Sequence, residues 1–331
     1  MQKTTVITGA AGFLGSHLAD VLLEQGHRVV ALDNLSMGRL DNVRHNFAHP
    51  HYTFQQVDVC DYAALLHSCQ GATAIVHLAA YKIPRYGKAI DTLLINCKGT
   101  ENVLNVAKVV NAKVVLASTS DVYGKNADLP FREGSDLVLG PSTVARWGYA
   151  ASKLFDEHLA LAFQEAYGTP VTILRFFGSY GPRHHLSWWG GPQSVFISQV
   201  LQGEPITIHG DGSQTRTFTY ASDTVAGIMA AVESTQAEGE IFNIGSTHEI
   251  AIIELARLIH RLCKVPGELR LEFVPYTSFT GKAYEDVKRR VPDIAKARRL
   301  LGYVPQVSLP AGLQKTIEWH SKVQHVGSSS S

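Results

Sequence analysis

This sequence is poor in cysteine, with four such residues among 331. They are Cys60, Cys69, Cys97 and Cys263, and no two of them stand in a CxxC spacing. We therefore expect free thiols, as in the reducing cytoplasm. Adjacent histidines occur without a nearby pattern of carboxylates, so no metal site is predicted.

An excess of charge of one sign is also absent. Lys and Arg number 30 against 29 Asp and Glu, which gives a formal charge of +1. A protein without a broad basic surface is not expected to bind nucleic acid or an anionic membrane. No apolar run reaches the roughly 20 residues that span a bilayer, and no signal-peptide pattern precedes Thr4. We predict a globular protein of the cytoplasm.

The sequence does contain runs of β-branched residues that alternate with segments of helical period. This alternation is typical of βαβ units, and it predicts an α/β fold with a Rossmann-type, doubly wound parallel sheet. The sequence pattern predicts sheet strands at about 4–8, 28–32, 52–57, 74–78, 114–117 and 171–176, and a short strand at 241–244 in the second half. It predicts helices at about 16–24, 90–109, 145–167, 193–202, 222–233, 250–263 and 293–301.

A length of 331 residues corresponds to about two domains, at roughly 100–200 residues each. We predict an NAD-binding Rossmann domain over residues 1–176 and a smaller mixed α/β substrate domain over 177–325. Elements from about 219–246 are expected to return to the first domain. Residues 326–331, which end in four serines, are predicted to be a disordered tail.

A glycine-rich loop follows the first predicted strand and opens the first predicted helix. It contains Gly9, Gly12 and Gly15, with Phe13 and Leu14 between the last two. Such glycines let the backbone approach a pyrophosphate, which then rests on the positive end of the helix. The loop therefore predicts a dinucleotide site, although a glycine turn without a ligand is the alternative interpretation.

Two acidic residues follow later strands of the predicted sheet. Asp33 ends the second strand, where a carboxylate binds the ribose hydroxyls of NAD and repels the extra phosphate of NADP. Arg39 is the competing feature, because a cation there favours a phosphate. Asp58 follows the third strand, and both an adenine contact and a turn or helix N-cap remain open for it.

Tyr149 and Lys153 lie four residues apart on a predicted helix, so both side chains project from one face. A nearby ammonium and a positive nicotinamide ring are expected to lower the pKa of the phenol, which can then act as a base. Thr119, Ser120 and Asp121 come at the end of the fifth strand, over the same crevice. We expect the Thr119 hydroxyl to hydrogen-bond the substrate oxygen, with Ser120 and Asp121 near a neighbouring carbon.

Together these motifs resemble the extended short-chain dehydrogenase/reductase family, in its nucleotide-sugar epimerase/dehydratase branch. The resemblance implies NAD as cofactor and a nucleotide sugar, with UDP as the carrier, as substrate. It also implies a homodimer formed by the helices at 90–109 and 145–167. It implies cofactor contacts for Asn34, Val59, Leu78, Ala79, Ala80, Asn96 and Lys153, beside the glycine loop, Asp33 and Asp58.

The implied chemistry is oxidation of the sugar at C4, with Tyr149 taking the proton of the hydroxyl. Our first interpretation is a UDP-sugar 4-epimerase that acts through a transient 4-keto sugar. UDP-glucuronate decarboxylation is the alternative. A 4,6-dehydratase is less favoured, because similar dehydratases carry an Asp-Glu pair where this chain has Ser120 and Asp121. A non-catalytic NAD-binding module is less favoured because Tyr149 and Lys153 are both present.

Three further residues are predicted to bind the substrate by the same resemblance. Arg216 is expected on the diphosphate or its ribose. Arg290 is expected to face a substrate carboxylate, or to protonate the carbon left by decarboxylation. Gly178 stands where most relatives have an asparagine that holds the nucleotide sugar. Trp188 and Trp189 in the nearby loop either stack on base or sugar or pack against the second domain.

Overall fold

The computed structural model describes residues 2–82, 89–276 and 285–328, with side chains up to Lys322. Fourteen strands are formed by these residues. They are β1 Thr4–Thr8, β2 Arg28–Asp33, β3 Tyr52–Gln56, β4 Ala74–His77, β5 Lys113–Thr119, β6 Val171–Phe176, β7 Ser179–Tyr180, β8 Ile206–His209, β9 Thr215–Thr217, β10 Thr219–Tyr220, β11 Glu240–Ile244, β12 Glu249–Ala251, β13 Leu271–Val274 and β14 Arg289–Arg290.

Nine α-helices lie among these described residues. They are α1 Phe13–Glu24, α2 Tyr62–Ser68, α3 Ala89–Val110, α4 Arg146–Tyr167, α5 Pro192–Leu201, α6 Ala221–Glu233, α7 Ile252–Cys263, α8 Ala295–Leu301 and α9 Leu309–Ser328. None of the described helices is long and apolar enough to cross a membrane.

The main sheet has seven parallel strands in the order β11-β6-β5-β4-β1-β2-β3. Neighbouring residues of one strand point to opposite faces of it. Val6 packs with α2, α3 and α4 on one face, and Ile7 packs with α1 and α6 on the other. Both faces are therefore buried under helices, as in a parallel α/β sheet. The predicted fold class is confirmed.

The order of the strands reverses direction between β1 and β4. Chain connections leave to one side after β1 and to the other side after β4, so a crevice opens at the carboxyl ends of these strands. The glycine loop after β1 and the Thr119 segment after β5 both lie at this edge. The fold thus brings the predicted cofactor and catalytic motifs together.

The second half forms its own core from α5, α7 and α9, with residues such as Phe196, Leu255 and Leu313. Small sheets accompany it, in the orders β10-β7, β12-β9-β14 and β13-β8. α6 and β11 also come from this half, but β11 pairs with β6 and α6 packs on α1. The domain division stays a prediction.

One sequence prediction needs correction at the end of an element. A helix is predicted from Ile250, but Glu249–Ala251 is strand β12, antiparallel to β9, and the helix starts at Ile252. The final helix α9 continues to Ser328, and the disordered tail over 326–331 stays a prediction. Residues 329–331 lie outside the described part of the chain.

Candidate active site

The glycine loop is held by a close approach between backbone segments. Gly9 has a φ of +71°, a left-handed conformation that favours glycine. A Cβ on Gly15 would lie 2.3 Å from the Gly9 carbonyl oxygen and 2.8 Å from the Cα of Ala10. Only glycine at position 15 therefore allows α1 to begin directly against the loop.

The start of α1 fits the pyrophosphate of a dinucleotide. In the described chain the helix begins at Phe13 after Gly12 with no side-chain cap, which leaves first-turn N–H groups for a ligand. His184 lies with its ring centroid 4.1 Å from that of Phe13. Its buried Nδ1 has no hydrogen-bond partner among the described residues. A bound dinucleotide would supply hydrogen-bond partners both for this buried nitrogen and for the uncapped N–H groups of the helix.

The Asp33 carboxylate is fixed at the end of β2. It accepts hydrogen bonds from the backbone N–H groups of Ala11 at 2.9 Å and Leu35 at 2.8 Å. Burial raises the pKa of this carboxyl, and the two amide hydrogen bonds act against that rise. A carboxylate has about four acceptor sites, so two remain for ribose hydroxyls. The residues at this position therefore fit NAD.

The predicted adenine region contains a small network of polar side chains. Asn34 donates from Nδ2 to Asp58 at 3.0 Å, and Asp58 also accepts from the N–H of Cys60 at 2.8 Å. Asp58 is thus a turn residue, while the N-cap of α2 is Asp61, which removes the N-cap interpretation of Asp58. Val59 is buried, and its carbonyl accepts from Asn102.

The side-chain amide of Asn96 is hydrogen-bonded to other groups of the protein. It pairs with both backbone groups of Tyr81, at 2.7 and 3.3 Å, and donates to the Ser152 hydroxyl at 3.0 Å. It thereby fixes the segment after Leu78, Ala79 and Ala80 against α4. Its predicted cofactor contact stays a prediction.

The Tyr149 phenol projects from the first turns of α4 into the crevice. Thr119, at the end of β5, lines the same cavity. In the protein alone, burial raises the pKa of Tyr149, and Asp121 and Asp156 raise it further. The predicted lowering by the Lys153 ammonium is therefore not found there.

Lys153 is buried one turn after Tyr149. Its Nζ lies 2.8 Å from Oδ2 of Asp156, and the two side chains are 2% and 0% exposed. The positive charge that was expected to act on the phenol is therefore already paired with a carboxylate. The i,i+3 spacing of Lys153 and Asp156 on one helix face was a signal in the sequence.

A chain of alternating charges crosses the crevice beside Tyr149. Asp121 pairs with Arg290 at 2.7 Å and with Arg146 at 3.4 Å. Arg290 also reaches the Ser120 hydroxyl at 3.4 Å. Asp286 pairs with Arg146 at 3.0 Å.

Arg216 extends the same chain of charges on the far side, 2.7 Å from Asp286. Tyr276 donates to the other oxygen of Asp286 at 2.7 Å. Burial opposes ionisation of Asp286, but Arg216 and Arg146 hold its pKa well below the ordinary value. Sequence reasoning gave no role to Arg146 or Asp286, because they lie 140 residues apart and no local pattern connects them.

These residues line one cavity of about 430 Å³ between the two halves. Its wall holds the predicted residues Phe13, Leu14, Thr119, Asp121, Tyr149, Gly178, Arg216 and Arg290. Among the described lining residues, four cations face two carboxylates: Lys82, Arg146, Arg216 and Arg290 against Asp121 and Asp286. The cavity wall is therefore suited to an anionic ligand.

Gly178 contributes backbone to this wall. Its φ is +42°, and a Cβ there would lie 2.2 Å from the carbonyl oxygen of Thr217. An asparagine could not replace it in this conformation, which is the physical reason for the departure from the expected residue. Trp188 stacks on His209 at 4.3 Å and packs in the second core, while its surface also lines the cavity.

A short loop, residues 182–185, fastens the second half onto the first. The His17 ring hydrogen-bonds the carbonyl of Pro182 at 3.0 Å, and the His185 ring does so with the carbonyl of Met37 at 3.0 Å. Arg183 pairs with Asp20 of α1 at 2.7 Å. With the ring of His184 on Phe13, each of the four loop residues contacts the glycine-loop side.

Comparisons with known proteins agree with this geometry. The chain is 36% identical over 327 residues to a UDP-N-acetyl-alpha-D-glucosaminuronate decarboxylase of Bacillus cytotoxicus, covering 98% of this chain and all of that protein. It is 39% identical over 326 residues to UDP-glucuronic acid decarboxylase 1 of Xenopus tropicalis, covering 97% and 73%.

A solved structure of similar shape is the UDP-glucuronic acid 4-epimerase of Bacillus cereus, in complex with UDP-glucuronic acid and NAD. Its TM-score is 0.84 at 30% identity, with 97% of this chain and 99% of that chain covered. A family model also matches residues 5–245. Because that match covers most of the chain and includes the glycine loop, Asp33, Thr119 and Tyr149, the chain belongs to the NAD-dependent epimerase/dehydratase family of enzymes, and its cofactor is NAD.

Proposed function

We propose that this protein decarboxylates a UDP-linked uronic acid, with NAD as a resident cofactor. The observation that carries the proposal is Arg290, which faces the Tyr149 cavity and is held there by Asp121 at 2.7 Å. An arginine fork suits a carboxylate, and the cavity wall carries two more positive than negative groups. Both decarboxylase relatives are named for UDP-uronic acids, which supports the alternative of our sequence analysis over its first interpretation.

The residues have distinct tasks in this reaction. When bound, NAD supplies the hydride acceptor for C4 of the sugar and returns the hydride at the end. Tyr149 takes the proton from the C4 hydroxyl, and Thr119 hydrogen-bonds the same oxygen. The resulting ketone stands β to the carboxylate.

The C5–carboxylate bond of such a β-keto acid breaks with loss of carbon dioxide. Its electron pair moves to the ketone oxygen as an enolate, which a proton then quenches at C5. Arg290 and Ser120 orient the carboxylate before it leaves. Arg216, at the other end of the charged chain, is suited to the diphosphate.

Epimerisation of the same substrate at C4 is the second candidate. It is favoured by the Bacillus cereus epimerase, whose structure contains UDP-glucuronic acid and NAD. It is also favoured by Asp121, because the decarboxylases that this chain resembles have a Ser-Glu pair where this chain has Ser120 and Asp121, and aspartate is one methylene shorter than glutamate. Both candidates share the oxidation at C4. A decarboxylase then loses the carboxylate, whereas an epimerase keeps it and has the hydride returned to the opposite face of C4.

The test is incubation of the purified protein with UDP-glucuronate and, separately, with UDP-N-acetylglucosaminuronate. We expect carbon dioxide and a UDP-pentose from at least one of them, measured by gas release and by NMR of the product. UDP-galacturonate without gas would establish the epimerase instead. No product from either compound would contradict both candidates.

Arg290→Gln is expected to lower the decarboxylation rate roughly 100-fold, because a charged group that orients the reacting carboxylate is lost. Arg289→Gln is the matched control. Arg289 is the preceding residue of β14, and its exposed side chain pairs with Glu249 at 2.8 Å. Equal loss in the two variants would argue against a role for Arg290 at the carboxylate.

We further propose a homodimer through α3 and α4, which pack side by side. Leu94 on α3 and Phe155 on α4 are 62% and 50% exposed, which supports a partner for this face. The cytoplasmic location inferred from the cysteines stays a prediction.

A further inference from the structure

The carboxylate of Asp121 lies between two arginines in the wall of the cavity. Its Oδ1 is 2.7 Å from Nη2 of Arg290 and 3.4 Å from Nη2 of Arg146. All three side chains line the cavity. One carboxylate oxygen therefore has a close cationic partner and a second cationic partner slightly farther away.

Arg146 is held in place by contacts other than the one to Asp121. Its Nη1 donates to the carbonyl oxygen of Glu285 at 2.9 Å and to Oδ1 of Asp286 at 3.0 Å. The carbon of its guanidinium group lies 5.1 Å from the centroid of the Trp147 ring. The guanidinium of Arg146 is thus anchored from the side that faces away from Asp121.

A substrate carboxylate on Arg290 would bring a second negative charge close to Asp121. Two carboxylates that share one site repel each other, unless a further cation compensates. The side chains of Arg290 and Arg146 are only 16% and 10% exposed, so solvent screens this repulsion weakly. An anchored cation that already pairs with Asp121 is suited to compensate for it.

We propose that Arg146 is a positioning residue that retains Asp121 while Arg290 binds the carboxylate of the substrate. The inference rests on the proposed role of Arg290 at the uronate carboxylate. Arg146 acts through Asp121 and does not itself contact the uronate. The preference of the cavity for a uronate over the corresponding neutral sugar therefore depends on Arg146.

The test is calorimetric titration of the NAD-loaded Tyr149→Phe protein with UDP-glucuronate and with UDP-glucose, which differ only at C6. The pair of UDP-N-acetylglucosaminuronate and UDP-N-acetylglucosamine is titrated in the same way. Loss of the phenol prevents turnover, so binding alone is measured. We expect Arg146→Gln to lower the ratio of the uronate affinity to the neutral-sugar affinity roughly tenfold. An unchanged ratio would overturn the proposal.

A double-mutant cycle separates an action through Asp121 from direct contact with the sugar. With Asp121→Asn in place, the repulsion that Arg146 compensates is gone. Arg146→Gln should then change the ratio by no more than about twofold. A tenfold loss that persists in this background would place Arg146 on the substrate itself and overturn the proposal.

Lys125→Gln is the matched control, because it removes a positive charge near Arg146. Nζ of Lys125 lies 2.6 Å from Glu285 and 5.9 Å from the centroid of the Trp147 ring, but Lys125 is not among the described residues that line the cavity. We expect this variant to keep the ratio of the unmodified residue. An equal loss in both variants would trace the effect to the overall charge of this region and overturn the proposal.

Arg146→Lys covers the case in which Arg146→Gln does not fold. Lysine keeps the charge but lacks the planar fork, so one ammonium replaces contacts made by two nitrogens. We expect a loss of about threefold in the ratio, and no loss would overturn the proposal. Failure of both variants to fold would assign Arg146 to stability and overturn it equally.

The outcome for the proposed function is separate. A preference for the uronate without release of carbon dioxide from the active protein would contradict decarboxylation and leave the role of Arg146 intact. No preference for the uronate in the Tyr149→Phe protein would contradict the role of Arg290, and the inference would fall with it.

Discussion

The stability of this fold depends on pH through a buried side chain, that of His77. It lies at the end of β4, 1% exposed, with Nδ1 2.7 Å from the Thr8 hydroxyl. Burial, helped by the nearby Lys153 ammonium, lowers the pKa of His77 to about 3. The folded protein therefore keeps this ring neutral under conditions where an exposed histidine takes a proton.

The resulting pH dependence has a definite sign. Below about pH 6.5 the unfolded chain binds a proton at His77 and the folded chain does not, so stability falls as the pH falls toward 3. We expect His77 to contribute a slope of up to about 1.4 kcal/mol per pH unit in this window. His77→Gln should lower the stability near neutral pH but flatten the slope.

Urea unfolding at about pH 7 and about pH 5 measures this slope. His158→Gln, on the exposed surface of α4, is the control and should leave the slope as it is. An unchanged slope in His77→Gln would show that the ring takes up its proton in the folded state.

Single residues could be placed from the sequence where a local pattern carried them. Tyr149 and Thr119 line the same cavity, as their positions on α4 and β5 implied. The pairing of Asp121 with Arg290 joins residues 169 positions apart, so its geometry depends on the packing of the two halves. The Lys153–Asp156 pair has the i,i+3 spacing of one helix face, so the sequence does carry a signal for it.

Among elements, the connection from the glycine loop to α1 is the most constrained. A methyl group on Gly15 would meet only backbone atoms, at 2.3 Å from Gly9 and 2.8 Å from Ala10. Backbone cannot move aside as a flexible side chain can. The helix would have to shift away from the loop that is to hold the pyrophosphate.

Gly15→Ala is therefore expected to cost about 1–3 kcal/mol of unfolding free energy and to weaken NAD binding. Calorimetric titration with NAD and thermal unfolding check the two effects. Gly134→Ala is the control, because a Cβ at Gly134 meets no atom within 4 Å. If Gly15→Ala bound NAD as tightly as the unmodified protein, the close packing would not matter for the site.

Strands of the main sheet were predicted to within two residues at each end. Helix α1 begins three residues before its predicted start, and the seven-residue helix α2 was not predicted. The buried runs of the main-sheet strands are long enough to show a period, as in Val171–Phe176, which has the predicted bounds. Strands of the second half, such as Ser179–Tyr180 and Thr219–Tyr220, have two residues each. No period can be read from two residues, and their pairing depends on partners about 40 residues away.

At the scale of the whole molecule, the exposed apolar face of α3 and α4 predicts a second copy of the chain. Leu94→Glu together with Phe155→Glu should convert a dimer to a monomer, because two charges would be buried in the interface. Light scattering measures the mass. Val304→Glu, at a residue 42% exposed away from this face, should leave the mass unchanged. A monomeric unmodified protein would contradict the proposed dimer.

The loop of residues 182–185 has a consequence for how the cavity can open. Separating the two halves would break an ion pair, two hydrogen bonds to carbonyl groups and a ring contact at the same time. These four contacts come from consecutive residues, so moving this loop away from the first half breaks all of them. Opening the cavity to a ligand by a hinge between the halves would therefore cost the energy of these contacts. Rotation of side chains at the rim of the cavity would not.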